Sequence, residues 1–114
     1  MSEARLPAHV EVNGLIRAVQ AAGGFATVLA KGERDGGTIL VICCERGGLA
    51  TVYERMPQAD GTRNWTQARR QDAENRREFE DYLERRRGQD RDLWIVELDV
   101  SNPERFIESP GTLN

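Results

Sequence analysis

The chain has 114 residues, 39% of them hydrophobic and 31% charged, with a net charge of −3. That size fits one domain with a modest core of its own, and the composition excludes a disordered chain. The acidic balance argues against a dedicated polyanion binder, and no stretch approaches the roughly 20 apolar residues of a membrane-crossing helix.

Residues 1–108 read as a single α+β domain and 109–114 as a flexible tail. Pro7 is suited to open a helix, because its missing N–H would be unpaired there anyway. Val12, Leu15, Ile16, Val19 and Ala22 then recur at helical spacing, and Gly23-Gly24 supplies the stop. Phe25 to Lys31 reads as the first strand, followed by a polar, Gly-rich loop over 32–37.

Thr38-Ile39-Leu40-Val41-Ile42-Cys43-Cys44 is the longest apolar run, and its β-branched content suits a strand covered on both faces. Glu45-Arg46-Gly47-Gly48 turns the chain into a second strand, Leu49 to Met56. With Gly47 and Gly48 at the two φ > 0 positions of a type I′ turn, Cys43 faces Val52, Ile42 faces Tyr53 and Val41 faces Glu54. A second turn, marked by Asp60-Gly61, leads into a strand over Arg63 to Arg69. Short connections among these four strands imply an antiparallel meander.

A helix from Asp72 to Arg87 follows. Acidic residues stand at its start, Arg85-Arg86-Arg87 at its end and Gly88 at the expected C′ position. Asp72–Arg76, Arg77–Asp81 and Asp81–Arg85 are spaced to pair along it. Leu93 to Val100 is the last strand, with Trp94, Val96, Leu98 and Val100 on its buried face. Ser101-Asn102-Pro103-Glu104 starts a helical turn carrying Phe106 and Ile107.

The fold expected is therefore an N-terminal helix, an antiparallel sheet of about five strands and a second helix inserted before the last strand. Its core should gather near Val12, Leu15, Ile16, Val19, Phe25, Val28, Ile39, Val41, Val52, Phe79, Leu83, Trp94, Val96 and Leu98.

Several stretches together resemble domain-of-unknown-function family 1491, a family of small bacterial proteins of about this length. They are Leu6-Pro7-Ala8-His9-Val10-Glu11-Val12, Ala21-Ala22-Gly23-Gly24-Phe25-Ala26, Tyr53 to Gln58 with Asp60 to Arg63 and Trp65, and Asp92 to Asp99. The resemblance spans nearly the whole chain and implies no activity, cofactor or catalytic residue. The element order is also similar to that of Sm-like proteins, bent barrels that bind RNA as rings, although the Sm sequence signatures are absent. That second likeness bears on shape.

Chemistry-bearing groups are sparse. Cys43 and Cys44 are adjacent and point to opposite faces of a strand, so they read as free thiols in a reducing cytoplasm rather than as a disulfide. The start of the chain, Met1 to Arg5, lacks the apolar segment of a secretion signal. His9 is the only histidine; a Cys-His nucleophile is available formally, and core thiols with a helix-start histidine is the simpler reading. Three Cys/His residues cannot supply a structural zinc site, and no phosphate or dinucleotide loop is present.

Glu97 and Asp99 share one face of the last strand about 6–7 Å apart, a spacing open to acid–base work or to a plain solvent-facing edge. Basic and acidic residues balance over 69–92, so that helix is laced with salt bridges and is no basic arm.

The richest cluster is Tyr53, Arg55, Asp60, Arg63 and Trp65. Aromatic rings beside guanidinium groups are the composition of interface hot spots and of base-stacking platforms. These five residues are the candidate partner surface. The function expected is a small non-enzymatic, cytoplasmic protein-interaction module without cofactor, metal or membrane, with a homo-oligomer as one arrangement. The alternative is an RNA-binding protein of Sm-like shape, and a small hydrolase or transferase ranks third.

Overall fold

The structure, a computed structural model, describes residues 6–57 and 63–107. In chain order the elements are α1 (Ala8–Ala21), β1 (Phe25–Ala30), β2 (Ile39–Cys44), β3 (Thr51–Pro57), β4 (Arg63–Arg70), α2 (Arg76–Gln89) and β5 (Trp94–Asp99). A 3₁₀ turn at Pro103–Phe106 follows. Two helices and a five-stranded, mostly antiparallel sheet make this an α+β fold, with α2 before the last strand as expected.

The strand order is β1-β5-β2-β3-β4, and the sheet is open, with β1 and β4 at its edges. The four-strand meander holds only for β2-β3-β4. β5 enters between β1 and β2, antiparallel to the first and parallel to the second. The composition of β5 explains its place. Trp94, Val96 and Leu98 fill the core under α1, while Ile95, with Leu93 just before it, joins the core under α2. A strand that contributes to both cores belongs inside a sheet covered on both sides. β2, buried at all six positions, is its natural neighbour.

The molecule thus has two cores. On one side Ala8, Val12, Leu15 and Val19 of α1 pack with Ile107 on Ile39, Val41, Cys43, Val96 and Leu98. On the other, Phe79 and Tyr82 of α2 pack on Leu40, Ile42, Val52 and Ile95. Two expected core residues lie outside: Phe25 is 74% exposed and Val28 38% exposed. Both sit on β1, the edge strand, which pairs with β5 and not with β2.

The β2–β3 register is one residue away from the expected one: Ile42 faces Val52, Val41 faces Tyr53 and Cys43 faces Thr51. The turn is the cause. Its left-handed positions are Arg46 (φ 53°) and Gly47 (φ 70°), and the Gly48 N–H closes it onto the Glu45 carbonyl at 2.9 Å. Arg46 tolerates that conformation because Asp99 holds the turn from β5. Its carboxylate accepts the N–H groups of Arg46 (2.6 Å) and Gly47 (3.1 Å). A carboxylate accepting two backbone N–H bonds offsets the cost of one left-handed non-glycine residue.

α2 also begins and ends later than expected. The Asp72 carboxylate accepts the N–H groups of Glu74 and Asn75, and the Asn75 amide bonds back to Asp72 N and Arg70 O. This local turn competes with the helix and delays its start to Arg76. At the other end Gly88 is absorbed into the helix instead of stopping it. None of the three expected pairs along α2 closes; its Arg86 reaches across to β3 instead.

The 32–37 loop lies directly on the backbone before β5. A Cβ at Gly32 or Gly37 would collide with the Asp92 carbonyl. From this loop the carbonyls of Arg34 and Asp35 accept the N–H groups of His9 and Ala8 at the start of α1.

Candidate functional site

The side chains of β3 contact both helices and the 3₁₀ turn. Alternation sends Tyr53 and Arg55 to the α1 side and Glu54 to the α2 side. Tyr53 donates its hydroxyl hydrogen to Glu104 of the 3₁₀ turn at 3.2 Å. Arg55, 7% exposed, pairs with Glu11 of α1, and its Nε is buried without a hydrogen-bond partner. Trp65 of β4 stands directly across from Arg55 and packs, half-buried with Tyr53, against the α1 core. On the other face Arg86 of α2 grips Glu54 with both terminal nitrogens at 2.9 Å and reaches the Tyr82 hydroxyl at 3.0 Å. The Arg69 guanidinium lies over the Tyr82 ring, 4.3 Å from its centre.

Of the five residues singled out in sequence, the structure therefore brings Tyr53, Arg55 and Trp65 together on one face. Arg63 opens β4, its backbone opposite Pro57. Asp60 lies outside the described residues. The partners that sequence reasoning missed are Glu11, Glu104 and Arg86. Each is distant in the chain from the β3 residue it binds, and each looks like an ordinary surface charge. The alternation of Arg55 with Tyr53 was the one signal of a shared inward face.

The electrostatics follow from burial. Burial, reinforced by the Glu104 charge, pushes the Tyr53 phenol up to about 12. The Cys43 thiol is pushed up to about 12 by burial and then by Glu104, and Cys44 to about 11 by burial and then by Asp99. The Glu54 carboxylate raises the Arg86 guanidinium still further above its ordinary value. Neither thiol is therefore poised as a nucleophile at neutral pH.

Glu97 and Asp99 do share a face, but the Asp99 carboxylate is bound by the β2–β3 turn. Glu97 lines a groove of about 520 Å³ beside α2, whose charged lining mixes Arg76 and Arg87 with Glu80, Asp81 and Glu84. Among the described residues no three His, Cys, Asp or Glu side chains stand close enough to share a metal ion, and no helix is long and apolar enough to cross a membrane.

β1 is the other feature of note. It pairs on one side only, with β5. Phe25, Val28 and Leu29 (41% exposed) leave it as a run of exposed apolar groups. Phe25 to Ala30 contains no charged residue and no proline, the usual guards of an open strand edge, whereas β4 at the opposite edge carries Arg63, Arg69 and Arg70.

A five-stranded open sheet with one helix on each face, a salt-bridged hairpin and a bare strand edge defines a small α+β scaffold. The chain belongs to the DUF1491 family of proteins of unknown function, whose model matches residues 6–108. It is similar to the crystal structure of a DUF1491 family protein from Caulobacter crescentus CB15, with a TM-score of 0.80 and 33% identity over 93% of this chain and 98% of that one. An NMR structure of a DUF1491 family protein from the same organism gives 0.79 and 32% identity over 95% and 97%. The solution structure of Atu0922 from A. tumefaciens gives 0.74 and 34% identity over 91% and 93%. No curated protein matches the chain.

Proposed function

We propose that this protein is a non-enzymatic interaction module of the cytoplasm that binds a partner protein by adding an extended segment to the free edge of β1. One observation carries the reading: β1 is an edge strand with exposed apolar side chains and none of the charges that blunt such edges. Strand addition draws its affinity from main-chain hydrogen bonds and its selectivity from alternate side chains, and β1 offers both. The hairpin residues Tyr53, Arg55 and Trp65 serve this scaffold from within, tying β3 and β4 to α1 and the 3₁₀ turn. The raised thiols and the engaged Asp99 carboxylate support the non-enzymatic part. The two free, buried cysteines suit a reducing compartment.

The test places a positive charge on the edge with Thr27→Lys/Leu29→Lys. Wild-type protein captures a protein partner from a bacterial lysate, and the β1 amides of the complex become protected from hydrogen exchange. The double variant, folded by circular dichroism, loses both. Equal capture by wild type and variant, or a complex that leaves the β1 amides unprotected, overturns the proposal. A second copy of this chain as the captured species identifies the partner as itself.

A further inference from the structure

A cavity of about 490 Å³ opens between α1, β1 and the 32–37 loop. Its apolar lining is the buried Val12 and Trp94 together with the half-exposed Val28. The Trp94 indole N–H is already donated to the Glu33 carbonyl at 2.7 Å, so the ring offers the cavity a surface without an unmet polar demand. The ionisable lining is His9, Lys31 and Arg34. Lys31 is the chain's one lysine and His9 its one histidine.

The charge of this lining runs against the charge of the molecule. The chain carries 19 acidic residues against 16 basic ones, yet no carboxylate side chain lines the cavity. The acidic residues of the adjoining loop are engaged elsewhere or open to water. Glu33 accepts the N–H groups of Asp35 and Gly36 with one carboxylate oxygen, at 3.0 and 2.6 Å, and Asp35 is exposed. His9 is held in place, because its Nδ1 lies 3.1 Å from the Arg34 carbonyl. A carbonyl only accepts, so Nδ1 carries the hydrogen and Nε2 is the atom left for another partner. The exposed Lys31 and Arg34 stand toward solvent, and Val12 and Trp94 lie deeper.

We propose that this cavity binds a small organic anion with an apolar or aromatic body and a carboxylate head. The body packs on Val12, Val28 and Trp94, and the head meets Lys31, Arg34 and His9. Its volume falls in the range of small-molecule pockets, and an apolar lining with a few convergent polar groups is their usual make-up. Arg and Lys supply charge-assisted hydrogen bonds to a carboxylate, which fix the orientation of the bound molecule. This site shares Val28 with the exposed apolar run of β1 but needs neither an extended segment nor main-chain pairing, so the two readings are tested apart.

The probe is phenylbutyrate, compared with phenylbutanol, which keeps the body and lacks the charge. Amide and indole NMR signals are followed during titration of the full chain. Phenylbutyrate shifts His9, Val12, Lys31, Arg34 and the Trp94 indole saturably, and phenylbutanol binds at least about tenfold more weakly, the ratio expected when about 1.4 kcal/mol of charge pairing is lost. Lys31→Glu/Arg34→Glu abolishes the phenylbutyrate shifts while the β2–β5 amides stay in place. If that variant does not fold, Lys31→Gln/Arg34→Gln takes its role, with a weakened affinity expected. Absence of saturable shifts, equal binding of acid and alcohol, shifts centred away from the cavity, or unchanged affinity in the folded charge variant overturns the proposal.

Discussion

Arg55 shows how one residue type carries opposite meanings. A guanidinium beside two aromatic rings looks like a contact waiting for a partner, but here its partner is Glu11, on the helix that the chain made first. Removing the carboxylate leaves a buried, unpaired charge. Glu11→Ala should therefore cost about 3 kcal/mol, read as a lowered urea midpoint. Glu11→Leu/Arg55→Leu should cost less than Glu11→Ala alone, because no buried charge is stranded. A double variant less stable than the single one would mean that the pair is worth more than its desolvation. The thiols give a second test. Cys43 and Cys44 stay protonated and shielded, so iodoacetamide at about pH 8 labels them only after unfolding. Their folded pKa values, about 12 and about 11, lie above the ordinary 9.0. The stability they contribute is complete below about pH 9 and declines as pH rises from there through the folded values of about 11 and 12; Tyr53 adds the same sign. A flat denaturation midpoint from about pH 8 to 11 would contradict this.

At the scale of elements, local patterns read well and pairings read poorly. α1, the β2 run and β5 were legible because periodicity and apolar content state both the element and its buried face. The β2–β3 register was not, because it hangs on which two residues of Glu45-Arg46-Gly47-Gly48 turn left-handed. Two adjacent glycines suggested themselves, and the choice fell on Arg46-Gly47 because Asp99, more than fifty residues away, binds those two N–H groups. Asp99→Ala removes both acceptors and should destabilise the fold by about 2 kcal/mol, measured by chemical denaturation. Asp99→Asn retains one acceptor oxygen and should fall between. If Asp99→Ala unfolds at the wild-type midpoint, the turn is held by its own backbone. Likewise the charges of α2 promised pairs along the helix, whereas Arg86 bridges to Glu54 on β3, a contact that no spacing rule within the helix could foresee.

For the molecule as a whole, the fold class was legible and the strand order was not. Two helices, five strands and short connections gave an α+β domain, and sequential pairing was the simplest way to join them. The exception is β5: its pattern shows one buried face, whereas Ile95 and the preceding Leu93 also join the core under α2, and the strand sits between β1 and β2. The candidate site shared this fate. Tyr53, Arg55 and Trp65 do gather, as the hairpin implied, but which surface stays open depends on the strand order. Deleting β5's inner side chains should thus affect both halves of the sheet. Val96→Ala, at a position with no exposure, should cost about 2–3 kcal/mol and speed hydrogen exchange in β1 and β2 alike. Faster exchange in only one of the two would show that the halves open separately.

The last strand to leave the ribosome is the one that joins the other four. Until residues 94–99 emerge, no strand pairing joins β1 to the β2-β3-β4 ribbon, and α1 with the intervening loop is all that spans them. Half-built sheets of that kind expose adhesive strand edges to neighbours and to chaperones. Commitment to the native state therefore waits until synthesis has passed Asp99, and a chain stalled at Gln89 should be cleared by proteases rather than accumulate as a smaller stable product.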